Sequence, residues 1–221
     1  MFVCHVVPGI AIWLLILAGS LAVPGMATAQ VGLASADDFE QCRRAETMAE
    51  LRLKACTSVI EDSSRIAEVR AEAYLNRGGA HEELGNLPPA IADYTEGISL
   101  NPSNPTLYHR RGLAYDLDGK RDLAIADFSQ AIRINPKDVE ALIYRGLSYA
   151  AEGDHDRAVL DYDAAIAEEP DDALVLAIRG ESREALGNRD SAIADYRRAL
   201  ELDPGNEEAE AGLARLGARR K

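Results

Sequence analysis

The chain of 221 residues carries 37 acidic against 24 basic side chains, a formal charge of -13, with 47% hydrophobic and only 5% aromatic residues. That acidity argues against nucleic acid, whose phosphates reward Lys and Arg patches, and against anionic membrane surfaces; proteins, peptides or basic ligands remain as partners. Cys4, Cys42, Cys56 and the four His residues show no metal-ligand spacing, and no GxSxG, HExxH or P-loop motif occurs, so no catalytic residue, metal or cofactor is expected.

No Asp, Glu, Lys or Arg precedes Asp37, and an apolar run fills Ile10 to Val23. This run is shorter than the ~20 residues that cross a bilayer. Pro24 and Gly25 break it, and Ala27-Thr28-Ala29 offers small residues where a signal peptidase reads. The pattern predicts a signal peptide over 1–29, cleaved after Ala29, although its first residues carry only the terminal amine and His5 as basic groups. Export to the periplasm or beyond follows, with no membrane contact after cleavage; the alternative is a membrane anchor formed by an uncleaved 10–23 segment.

The next stretch, 33–70, reads as two short helices separated near Thr47 to Glu50. Beyond it lies a 34-residue period: Gly78, Gly112, Gly146 and Gly180; Gly85, Gly119, Gly153 and Gly187; Ala90, Ala124, Ala158 and Ala192; Tyr94, Phe128, Tyr162 and Tyr196; Pro102, Pro136, Pro170 and Pro204. Such a period marks a helix-turn-helix solenoid. Gly85 and its equivalents stand where a left-handed residue closes a first helix, and the Pro column ends each second helix, with Asn101, Asn135 and Asp203 adding turn chemistry. Gly78 falls in mid-helix, where glycine costs about 1 kcal/mol relative to alanine; close approach to the Ala90 column is the expected reason.

The recurring RGxxxxxxGxxxxAxxDYxxxIxxxP pattern resembles the tetratricopeptide repeat family over 71–104, 105–138, 139–172 and 173–206. Tyr74, Tyr108, Leu142 and Leu176 replace that family's early Trp, and Arg77, Arg111, Arg145 and Arg179 its Leu. The resemblance implies an all-α fold: a right-handed α-solenoid of antiparallel helix pairs, with a capping helix and basic tail over 207–221. Segment 33–70 then counts as a degenerate repeat, with four extra residues around Glu61 to Ser64. That count puts Cys56 in the column of Tyr94 and Cys42 on the helix before. A Cys42–Cys56 disulfide is expected in an exported chain, two buried thiols being the alternative.

The resemblance also projects a concave groove from the first helices. Leu75, His109, Ile143 and Ala177 form one row, and Gly79, Leu113, Leu147 and Glu181 the next. Glu82, Asp116, Ala150 and Glu184 form a third, with Leu117 beside it. The candidate groove is therefore Leu75, His109, Leu113, Asp116, Leu117, Ile143, Leu147 and Ala150, apolar at its centre and acidic at its rim. The family's carboxylate-gripping members carry Lys, Asn and Arg in these rows; here only Asn76 and Arg110 are on offer, which argues against that specificity. An apolar strand or amphipathic helix with basic flanks fits better.

Asp93, Asp127, Asp161 and Asp195 share the period of the Arg column, so each repeat can pair one Arg with one Asp: Arg77 with Asp93, Arg111 with Asp127, Arg145 with Asp161, Arg179 with Asp195. Packing by these forks is favoured over an anion-binding ladder. Charge is uneven: 139–172 holds ten acidic residues against two Arg, and Glu168, Glu169, Asp171 and Asp172 form a candidate acidic patch. The reading is a non-enzymatic interaction scaffold or adaptor in the periplasm that binds a peptide or helix. The alternatives are a self-associating structural protein or a non-catalytic subunit of an envelope enzyme or assembly complex; the sequence does not set an oligomeric state.

Overall fold

Asn or Asp closes each 34-residue period, and helices begin there. Asn104, Asp138, Asp172 and Asn206 accept backbone N–H bonds from Thr106, Ala141, Leu174 with Val175, and Ala209 at 2.8–3.1 Å. Each such cap satisfies a donor that a helix start leaves orphaned and contributes about 1 kcal/mol. At the other end of these first helices, Gly85 has φ +73° and Gly119 φ +74°, a conformation that side-chain-bearing residues rarely adopt. The chain then reverses into the second helix. Between repeats, Asn101, Asn135 and Asp203 accept backbone N–H bonds from two residues on, across the prolines, at 3.0–3.3 Å.

The outcome, in a computed structural model that describes residues 33–219, is eleven α-helices and no strand among those residues. They are α1 (Ala36–Arg43), α2 (Ala49–Glu61), α3 (Ala67–Glu83), α4 (Leu87–Leu100), α5 (Pro105–Leu117), α6 (Arg121–Ile134), α7 (Val139–Ala151), α8 (His155–Glu168), α9 (Ala173–Ala185), α10 (Arg189–Leu202) and α11 (Glu207–Arg215). Each packs mainly on the next, giving a solenoid of helix pairs. The expected signal segment, Cys4 and His5 lie outside the described residues. Among those described, no helix is long and apolar enough to cross a membrane, and no His, Cys, Asp and Glu cluster could hold a metal ion.

One large ring per pair fills the space between its helices: Tyr94, Phe128, Tyr162 and Tyr196 are all 0% exposed. A Cβ on Gly78 would stand 2.5 Å from Tyr94 Cε1, and one on Gly112 2.8 Å from the same atom of Phe128. The close approach that selects glycine there is therefore to the ring, and not to the Ala90 column, because the ring atoms occupy the space that a Cβ would need. The N-terminal pair uses sulfur in place of a ring: Cys42 and Cys56 form a disulfide, buried with Val59, Ala55 and Ala73, their Cα atoms 4.7 Å apart. The break between α1 and α2 falls at residues 44–48, slightly before the expected place. Buried Arg52 closes it by donating to the carbonyls of Ala45 and Thr47 at 3.0 and 3.5 Å.

Candidate binding surface

Each repeat's arginine grips its own aspartate with a planar fork. Arg77 Nε and Nη2 donate to Asp93 at 2.9 and 2.7 Å, Arg111 to Asp127 at 2.7 and 2.8 Å, Arg145 to Asp161 at 2.9 and 2.6 Å, and Arg179 to Asp195 at 3.0 and 2.6 Å. The aspartates are 4–5% exposed, so their charges lie in a medium where an unpaired ion would be costly. The remaining nitrogen, Nη1, reaches the previous repeat: Thr57 Oγ1, Thr95 Oγ1, Ser129 Oγ and Asp163 Oδ1, at 3.0, 3.0, 3.1 and 2.7 Å. All three nitrogens of each arginine thus hold groups of the chain itself, the arrangement expected of packing forks.

First helices of successive pairs touch (α1 with α3, α3 with α5, α5 with α7, α9 with α11), so they share one face of the array. Along them the candidate groove residues separate into two kinds. Leu117 is 72% and Leu147 39% exposed, Asp116 is exposed, and Leu113 is half-buried. Leu75, Ile143 and Ala150 instead pack against the buried clusters behind them. His109 is a correction. It is 6% exposed, wedged between the rings of Phe128 and Tyr144 with centroids 5.9 and 5.7 Å away, so it is a core residue and not a groove contact. Burial pushes its pKa down, against the pull of Asp138 and Glu140. Tyr144, half-exposed beside it, is the aromatic group this face actually offers.

At the N-terminal end of the same face lies a cavity of about 250 Å³ bounded by α1, α3 and α5, with Arg43, Arg52, Asn76, Glu82, Tyr94 and Arg110 in its wall. Most of its charges are committed: Arg52 to Glu83 at 2.5 Å, Arg43 to Glu72 at 2.9 Å. Glu82 is different. Its Oε1 and the Tyr94 hydroxyl are both buried and lie against each other, neither with a well-formed hydrogen bond to any other group, and Arg110 pairs loosely with the other oxygen at 3.8 Å. Burial raises the Glu82 carboxyl from its ordinary value, opposed by the adjacent Tyr94 hydroxyl and by the charge of Arg110.

The acidic run has structural duties. Asp172 caps α9, Lys137 donates to Glu168 at 2.8 Å, and Arg198 to Asp171 at 2.8 Å. At the C-terminal end, Ala209, Gly212 and Leu213 of α11 are buried, with Gly212 against the ring of Tyr196. Arg215 does more than face solvent. It reaches back to α9, donating to Glu184 at 3.0 and 3.1 Å.

Family models described as tetratricopeptide repeat match residues 71–104, 109–173 and 173–206, together more than half of the chain. Among solved structures, MamA is similar with a TM-score of 0.65 and 24% identity, over 71% of this chain and 89% of that one. YrrB, described as a TPR protein with an unusual peptide-binding site, gives 0.65 and 21% over 75% and 84%. A tetratricopeptide repeat protein from Parabacteroides merdae gives 0.69 and 19% over 81% and 72%. These likenesses show the fold. No curated protein matches the chain.

Proposed function

The chain belongs to the tetratricopeptide repeat family, and from that premise we propose that it is an exported, non-enzymatic scaffold holding a peptide or helical segment of a partner protein on its concave face. The observation that carries this reading is the unspent side chains along the first helices. Leu113, Tyr144, Leu147 and Leu117 present apolar surface there. Asp116 and Glu181 add acidity at the rim, which suits a segment with basic flanks. YrrB's described peptide-binding site is a precedent for such use of the fold. The Cys42–Cys56 disulfide supports an oxidising destination, periplasmic or secreted, in keeping with the apolar run over 10–23.

Capture of partners from a periplasmic extract by the wild-type chain, compared with a Leu113→Glu, Leu147→Glu variant, tests the binding face. Loss of specific partners in the variant is expected, and identical partner sets would reject the groove. N-terminal sequencing of the exported chain should begin at Gln30; an intact Met1 in the membrane fraction would replace export with anchoring.

A further inference from the structure

Two places in this solenoid carry the same pair of polar groups. Glu82 and Tyr94 stand 102 residues, three periods, before Glu184 and Tyr196. The two central repeats lack the pair, having Asp116 with Phe128 and Ala150 with Tyr162. In the last repeat the pair is occupied. Arg215 Nε lies 3.1 Å from Glu184 Oε1 and its Nη2 3.0 Å from Oε2 and 3.4 Å from the Tyr196 hydroxyl, which itself donates to Glu184 at 2.8 Å. The guanidinium holds the Glu184 carboxyl below its ordinary value.

In the first regular repeat the equivalent position of the following helix is Leu113, which can donate nothing. Glu82 Oε1 and the hydroxyl of the fully buried Tyr94 therefore have only each other, in the wall of the 250 Å³ cavity, and the Glu82 carboxyl is raised where Glu184 is lowered. Arg43 and Arg52 are already turned to Glu72 and Glu83, and Arg110 approaches Glu82 only to 3.8 Å, so an incoming anion would meet a carboxylate that no cation grips closely. What the open groups accept is a cationic donor, and a planar guanidinium can span both carboxylate oxygens and the hydroxyl as Arg215 does.

We propose that the cavity between α1, α3 and α5 is a receptor for an arginine side chain of the bound partner, seated on Glu82 and Tyr94 as Arg215 is seated on Glu184 and Tyr196. This rests on the concave face being the binding face, and it names one residue type that the bound segment brings.

The test is an amide chemical-shift titration of the isotope-labelled chain with N-acetyl-arginine N-methylamide, beside its uncharged isostere N-acetyl-citrulline N-methylamide. The arginine probe should give saturable shifts at Gly79, Glu82 and Glu83, with at least tenfold weaker binding for the citrulline probe and in Glu82→Gln. Tyr94→Phe, a ring that the chain already accommodates as Phe128, should weaken the probe severalfold, and Leu113→Arg should abolish binding by filling the site in cis. Glu184→Gln should leave the shifts of α3 unchanged. Absence of saturable shifts in α3, equal shifts from the citrulline probe, or unaltered affinity in Glu82→Gln would overturn the proposal. Glu82→Gln in the partner capture separates the two readings. Partners lost by the Leu113→Glu, Leu147→Glu variant but bound equally by Glu82→Gln would sink the arginine receptor alone.

Discussion

Gly78 and Gly79 are neighbours in the middle of α3, and replacing each by alanine should move stability in opposite directions. Both substitutions carry the same gain in helix propensity, about 1 kcal/mol. A Cβ on Gly79 meets nothing within 4 Å, so Gly79→Ala keeps that gain. A Cβ on Gly78 would stand 2.5, 2.9 and 2.9 Å from three carbons of the Tyr94 ring, where contact needs about 3.5–4.0 Å. The ring is 0% exposed and cannot swing into solvent, so it must shift by about 1 Å against its neighbours, at a cost of about 1–3 kcal/mol. Propensity cancels in the comparison, which leaves Gly78→Ala less stable than Gly79→Ala by about 2 kcal/mol, or ~4–8 °C in Tm for a domain of this size. Thermal and urea unfolding followed by circular dichroism read this directly. Equal stability of the two variants would refute the claim that the ring, and not backbone freedom, selects glycine in this column.

Asp127→Ala strips the partner from the partly buried Arg111 and should cost about 3 kcal/mol, whereas Arg198→Ala, at an exposed pair with Asp171, should cost less than about 1 kcal/mol; urea midpoints distinguish them. Burial keeps the folded pKa of His109 below its unfolded value of about 6.5, so the stability it contributes is present above that value and lost as pH falls through the folded pKa. His109→Gln should therefore flatten the fall of the urea midpoint as pH drops below about 6.5, and an unchanged slope would contradict its buried, neutral state. Reducing the Cys42–Cys56 disulfide should lower stability by about 3 kcal/mol in the chain-entropy picture, and the non-reduced chain should resist thiol alkylation at both residues.

The architecture was legible because its signals are local and repeated: a glycine for the left-handed turn at Gly85, a proline past the second helix at Pro102, a ring at Tyr94. The fork of Arg77 on Asp93 could be anticipated since both columns share one period. The same logic would have found Thr95, Ser129 and Asp163 as the partners of Nη1, and Asn104, Asp138, Asp172 and Asn206 as helix caps, since both sets also recur every 34 residues. Groove membership was harder to read. Position alone projected His109 outward, but its neighbours Phe128 and Tyr144 are large enough to enclose it. The state of Glu82 could not be read at all, because its burial depends on a wall shared by α1, α3 and α5, residues far apart in sequence.

The third nitrogen of each arginine makes neighbouring repeats answer for one another. Loss of the Thr95 hydroxyl or of Asp127 loosens the same Arg111, although the two residues belong to different helix pairs. At the junction of α8 with α9 and α10 the tie is heavier, since both Arg179 and Arg183 bridge Asp163 to Asp195. The array is thus less a string of separable beads than a zip whose teeth are set closest near its C-terminal end. Damage within one pair is shared by the next, and within this column the upstream junctions rest on single hydroxyls. The first pair is fastened to α3 by further ties, Arg43 to Glu72 and Arg52 to Glu83, so the disulfide of α1 and α2 clasps a pair that is itself well held to the array.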